Sequence, residues 1–148
     1  MLRNPMPYGK IVDGEMGEPS APGDGPILVV DDDQDIREIL SETLEDLGFE
    51  ILTAANGREA LTILRSLEGG ASAVLLDLMM PVMDGYGFLE ARAQDPKLAS
   101  IPIAVVTAGH GIDHDRIGTA IPIIRKPFDV SRLLTVLEQM RGRAERLA

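Results

Sequence analysis

The sequence predicts a doubly wound α/β domain built on a five-stranded parallel sheet. Three observations carry that reading. Short continuous apolar runs recur, as in Ile27–Val30, Ala73–Leu76 and Ile103–Val106. Continuous rather than alternating apolar character marks strands buried on both faces. Between these runs lie segments whose apolar residues recur every three or four positions, the period of a helix. The two kinds of segment alternate five times, and parallel strands with helices on both faces are the economical packing for that pattern. The chain of 148 residues is one domain's worth, long enough to bury a sizeable core.

The elements follow in order. Ile27–Val30, bounded by Pro26 and by acids, is the first strand. Ile36, Ile39, Leu40, Leu44 and Leu47 form one face of the first helix, with Asp33 as its N-cap and Gly48 just past its end. Phe49–Ala54 is the second strand. Asn56 caps a second helix carrying Ala60, Leu61, Leu64 and Leu67, which Gly69 and Gly70 end. After the third strand, Ala73–Leu76, Pro81 and Asp84-Gly85 punctuate a loop before a helix over about Tyr86–Gln94. Ile103–Val106 is the fourth strand. A fourth helix is expected within 109–120, although Gly109, Gly111 and Gly118 fall inside it. Ile121–Ile124 is the fifth strand. Asp129 caps a last helix through about Met140, with Leu133, Leu134, Leu137 and Met140 inward. A flavodoxin-like (βα)5 strand order, 2-1-3-4-5, is a common choice for five such units.

Residues 1–26 differ. They hold five of the ten prolines and five of the fifteen glycines, and Gly14–Gly25 has neither a 2-residue nor a 3.6-residue period. Composition predicts a disordered N-terminal tail there, ahead of a domain over 27–148. The chain has no Cys, so a disulfide framework and a thiolate metal site are excluded. The formal net charge of −10 argues against a nucleic-acid binder. No apolar run approaches the ~20 residues of a membrane span, and a signal-peptide core is missing. A cytoplasmic domain making no membrane contact is the expectation.

In open parallel sheets ligands sit beyond the carboxyl ends of the strands. Strand one ends in Asp31-Asp32-Asp33, strand three in Asp77 and strand four in Thr107, and strand five runs through Arg125 into Lys126-Pro127. In the order 2-1-3-4-5 these four strands are neighbours, so their polar ends converge. Facing carboxylates repel by roughly 4 kcal/mol per pair at 4 Å and an effective dielectric near 20. They must bind a cation or hold protons, and oxygen ligands with retained waters suit Mg²⁺. A lysine adds a compact positive charge and a threonine a hydroxyl. Such a set binds a phosphoryl group, and one carboxylate can be the nucleophile that forms an aspartyl phosphate.

Each residue also has a plainer reading. Asp33 is a helix cap, Thr107 alone is a strand-end threonine, and Lys126 alone is solvated surface. Met79, Met80 and Met83 read as loop packing. His110 and His114 have no third His or Cys beside them, which argues against zinc. Asp77 resists the plain reading, because no capped helix follows it at once. Lys126 is one of only three lysines in the chain.

The segments ILVVDDD at 27–33, LLDLMMPVMDG at 75–85, VVTA at 105–108 and RKPF at 125–128 resemble the receiver domain of two-component response regulators. The resemblance runs from Ile27 to about Met140. It implies a phosphoacceptor at Asp77 and an acidic pair, Asp31 and Asp32, that holds Mg²⁺ together with Asp77 and the Met79 backbone carbonyl. It further implies a switch hydroxyl at Thr107, a phosphoryl-pairing lysine at Lys126, and a cis Lys126–Pro127 bond. The implied partners are a histidine kinase or phosphotransfer protein, and a downstream protein contacting residues 107–140. The implied state is a monomer or weak homodimer, and the implied activity that of a signalling switch rather than an enzyme.

Three features depart from that family pattern. Ile123 stands where an aromatic is usual, the Thr107–Lys126 segment is short and glycine-rich, and the sequence stops just after the fifth helix, as a stand-alone receiver would. The first two leave open a degenerate receiver that binds partners without phosphorylation. An aspartyl-phosphate phosphatase needs a second carboxylate two residues past the nucleophile, where this chain has Met79. A flavin-binding protein needs hydroxyls and amides in the first loop, where three aspartates would repel a phosphate.

Overall fold

A computed structural model describes residues 25–147, so the expected tail over 1–26 lies outside the described residues except for Gly25 and Pro26. The elements run β1 (Ile27–Val30), α1 (Gln34–Asp46), β2 (Ile51–Ala54), α2 (Gly57–Ser66), β3 (Ala73–Leu76), α3 (Gly85–Ala93), β4 (Ile103–Thr107), α4 (His114–Ile117), β5 (Ile123–Arg125) and α5 (Val130–Leu147). All strand pairs are parallel, in the order β2-β1-β3-β4-β5. The doubly wound (βα)5 sheet is as the alternation predicts.

The apolar runs are continuous because successive side chains enter opposite cores. Leu28, Val30, Val74, Leu76 and Val105 point into a core closed by α2, α3 and α4, in which Phe88 is fully buried. Ile27, Val29, Leu75, Ala104 and Val106 point into the other, closed by α1 and α5 through Leu40, Leu44, Leu133 and Leu137. Three helices begin on caps legible in the sequence. The Asp33 carboxylate accepts from the Asp35 and Ile36 N–H groups, Asn56 accepts from Glu59, and Asp129 accepts from Ser131.

Several boundaries move, each for a local reason. On α1 only Leu40 and Leu44 are buried outright; Ile39, at the rim of the apolar stripe, is 54% exposed, and Leu47 is the exposed C-cap. β2 starts at Ile51 rather than Phe49, because Gly48 (φ 98) turns the chain and the Phe49 N–H is spent on Leu44 O. β5 starts at Ile123 rather than Ile121, since Pro122 has no N–H to give the ladder. The fourth helix shrinks from the expected 109–120 to the single turn His114–Ile117, bracketed by left-handed Gly111 and Gly118. α5 continues past Met140 to Leu147.

The loop from β3 to α3 is tightly built. Gly85 donates its N–H to Leu78 O, and a Cβ there would lie 2.5 Å from Asp77 O. Met80 and Met83 pack against the core as expected, whereas Met79 is exposed. Val82 has φ 69 between Pro81 and Met83, and Met83 N–H donates to Pro81 O at 2.7 Å. A β-branched residue in that γ-turn conformation is strained, and Val82 is 73% exposed, so little packing offsets the strain. Val82→Gly is therefore expected to raise stability by about 1 kcal/mol, as relief of a left-handed backbone exceeds the entropy cost of glycine. Equilibrium urea unfolding checks this, and a lower midpoint for the variant would contradict it.

Candidate functional site

The carboxyl ends of β1, β3, β4 and β5 form one polar floor. Val30 pairs with Leu76, so the next residues, Asp31 and Asp77, emerge side by side. Their placement is reinforced by Asp77 N–H donating to Val30 O at 2.9 Å. Thr107 pairs with Arg125, so Lys126 follows β5 at the same edge, and its N–H donates to Thr107 O at 3.0 Å. The Lys126–Pro127 peptide bond is cis, as the sequence resemblance implied.

Asp31 and Asp77 are 3% and 7% exposed, Thr107 is fully buried, and Asp32 stands in solvent. Asp31 Oδ1 accepts from the Asp33 N–H at 2.9 Å, and Oδ2 accepts from Lys126 Nζ at 2.6 Å. Asp77 Oδ1 accepts from the Leu78 N–H at 2.8 Å, and its Oδ2 faces Lys126 Nζ at 3.6 Å, longer than a hydrogen bond. The lysine in this state is thus bound to Asp31 and adjacent to Asp77. Thr107 Oγ1 accepts from the Gly109 N–H at 3.1 Å.

Carboxylate oxygens of Asp31, Asp32 and Asp77 lie within 4.8 Å of one another. Against one lysine these three acids leave a net negative site when ionised. Burial raises the Asp31 carboxyl above the ordinary aspartate value of 3.8, and the nearby Asp77 charge adds to the rise, while the bonds from Lys126 and Asp33 pull it down. An acid that resists ionisation beside two others fits a hard divalent cation, which takes all-oxygen ligands. The residues expected from the sequence to gather here do so: Asp31, Asp32, Asp77, Thr107 and Lys126.

Sequence reasoning assigned no role to two arginines. Arg37 Nη1 donates to Asp31 O at 2.8 Å, and Arg125 Nη1 donates to Gly109 O at 3.0 Å. Arg37 leaves no trace in sequence, being a surface position of α1. Arg125 adjoins Lys126, and its strand-edge position was the available signal.

The response regulator receiver domain family matches residues 27–138, and the chain belongs to that family. It is therefore a receiver module of the two-component signalling type. The chain is 39% identical over 126 residues to a probable transcriptional regulator, ycf27, of Porphyra purpurea, covering 82% of this chain and 49% of that protein. It is 34% identical to the response regulator Rre1 of Synechocystis sp., covering 80% of this chain and 52% of that protein. The chain thus spans about half the length of these curated relatives. Among solved structures it resembles the chemotaxis protein CheY4 of Vibrio cholerae, with TM-score 0.70 and 33% identity, covering 78% of this chain and 98% of that one. It also resembles the response regulator TrrA of Thermotoga maritima in complex with Mg²⁺-BeF, with TM-score 0.69 and 33% identity over the same coverages.

Two outcomes follow from the electrostatics. Because the folded protein keeps the Asp31 proton to higher pH than the unfolded chain does, metal-free stability is expected to fall as pH rises through the raised Asp31 value, above 3.8. Mg²⁺ should reverse that loss near neutral pH, stabilising by about 1.4 kcal/mol at tenfold its Kd. Asp32→Ala, which removes an exposed acid, should weaken the Mg²⁺ response while raising metal-free stability. Thermal unfolding against pH without metal, and against Mg²⁺ concentration near neutral pH, tests them; metal-free stability that does not fall as pH rises would contradict the first, and a midpoint indifferent to Mg²⁺ the cation site.

Proposed function

We propose that this chain is a phosphoacceptor switch in a two-component phosphorelay, with Asp77 as the residue that accepts the phosphoryl group. The observation that carries the reading is the Asp77 carboxylate. It lies at the end of a buried strand, its Oδ1 is fixed by the Leu78 N–H, and its Oδ2 is turned toward Lys126.

An Asp77 carboxylate oxygen attacks the phosphorus of a phosphohistidine on a histidine kinase or phosphotransfer protein. A P–O bond forms, the P–N bond breaks, and the electron pair leaves with the imidazole, which keeps or regains a proton. Lys126 exchanges part of its bond to Asp31 for a phosphoryl oxygen, and Thr107 donates its hydroxyl hydrogen to another. Asp31, Asp32, Asp77 and the Met79 carbonyl would hold Mg²⁺, which would supply the positive charge the crowded acids require. That the similar response regulator TrrA forms a complex with Mg²⁺-BeF supports a site here for a divalent cation beside a phosphoryl-like group.

The reading places the protein in the cytoplasm; among the described residues no helix is long and apolar enough to cross a membrane. It acts through protein contacts made by residues 107–140, as a monomer or weak homodimer. Phosphatase chemistry is disfavoured because Met79 brings no carboxylate to the position two residues past Asp77.

Acetyl phosphate with Mg²⁺ should add one acid-stable, base-labile phosphoryl group to the wild type and none to Asp77→Asn. Thr107→Ala should still take up phosphate. A phosphate-affinity gel reads all three. Labelling of Asp77→Asn equal to wild type would overturn the assignment, and no labelling of the wild type would favour a degenerate receiver.

A further inference from the structure

Between β4 and β5 the chain makes a single helical turn held between two left-handed glycines, Gly111 (φ 64) and Gly118 (φ 88), each in open space. Glycine changes conformation there without a Cβ penalty. Residues 112–117 are thus one piece between two pivots.

That piece is fastened to α3. The Asp113 N–H donates to the Tyr86 hydroxyl at 2.8 Å. Arg116 donates to Glu90 Oε2 at 2.6 and 3.2 Å, and its guanidinium lies 4.5 Å from the Tyr86 ring centroid. Ile117 is buried in the same core that Tyr86 partly joins. The Arg116–Glu90 ion pair is exposed and holds little by itself. The hydroxyl bond and the guanidinium-on-ring contact therefore carry the directional hold.

On the other side of the first pivot, Gly109 is gripped twice. Its N–H donates to Thr107 Oγ1 and its carbonyl accepts from Arg125. A Thr107 hydroxyl moving toward Asp77 must either break the Gly109 bond or draw Gly109 along. Gly109 is four residues from Asp113, whose position Tyr86 fixes. We infer that Tyr86 is a positioning residue that clasps residues 112–117 to α3 and so opposes engagement of Thr107 with a phosphoryl group on Asp77. The inference rests on the phosphoacceptor reading above.

Calorimetric titration of the full chain, first with Mg²⁺ alone and then with beryllofluoride in saturating Mg²⁺, tests it. Tyr86→Phe keeps the ring and loses the hydroxyl. It should leave Mg²⁺ affinity unchanged and tighten beryllofluoride binding roughly threefold to tenfold, the factor one ordinary hydrogen bond supplies. In a Thr107→Val background the same change should have no effect on beryllofluoride affinity. Without ligand, Tyr86→Phe should also speed amide exchange in 112–117. A merely structural role would instead shift Mg²⁺ and beryllofluoride affinities together, or act equally without the Thr107 hydroxyl, and either result overturns the inference. Wild-type binding of beryllofluoride with unchanged or weaker binding by Tyr86→Phe overturns it alone. Failure of the wild type to bind beryllofluoride overturns the phosphoacceptor reading and this inference with it.

Discussion

Asp31 and Asp77 are neighbours because β1 and β3 are adjacent parallel strands in the register Val30↔Leu76. Parallel strands lie about 4.8 Å apart, so residues that follow paired positions leave the sheet at that spacing. A slip of one residue would send one carboxylate to the opposite face of the sheet. It would also send Val30 or Leu76, whichever strand slipped, into the wrong core, and each is fully or almost fully buried. The two-sided hydrophobic packing of short apolar strands is thus what holds the acids together against their repulsion. The site depends on the core for the placement of its backbone, and on its own contacts for the orientation of its carboxylates.

Lys126 is the counterweight inside the site. It crosses from the end of β5 to Asp31, just past β1, and stands 3.6 Å from Asp77 on the way. Its side chain is largely buried, so the ion pair is worth more than a surface pair, yet its desolvation offsets much of the gain. Removing Lys126 would leave three acids unopposed. Removing Asp31 would free the lysine for Asp77. The lysine is shared by two carboxylates, and a change in the charge on Asp77 alters what it can give to Asp31. The charge on Asp77 and the bond to Asp31 on the neighbouring strand's end are thereby linked through one side chain.

Much of this was legible in the sequence because the signals were physical ones. Continuous apolar runs, caps at Asp33 and Asn56, and polar residues after each strand fixed the element order and brought Asp31, Asp32, Asp77, Thr107 and Lys126 to one edge. What was illegible depended on single backbone bonds or long-range partners. The start of β2 turned on one N–H claimed by the preceding helix. The length of α4 turned on the φ values of two glycines. The bond from Lys126 to Asp31 spans 95 positions of sequence, and the Tyr86–Asp113 bond spans 27. No local pattern encodes such pairings.

The region that diverges most from its sequence expectation is also the one between the site and the surface. The four strands that carry the acids, Thr107 and Lys126 are backed by fully buried side chains such as Leu28, Leu75 and Phe88. Residues 109–118 are tied to the rest by a few side-chain contacts and one buried isoleucine. Local opening costs least where buried apolar contacts are few. A rigid floor beneath a weakly held segment lets the two respond separately, so the carboxylates keep their spacing while the segment shifts. Ile123, where the family usually has an aromatic, is a branched side chain with few χ1 choices and is partly buried on β5. The free energy that positions the segment therefore resides in its contacts with α3, where Tyr86 supplies both a ring and a hydroxyl. On the phosphoacceptor reading proposed for Asp77, the route to the surface runs through Thr107 and Gly109 to the residues that α3 holds.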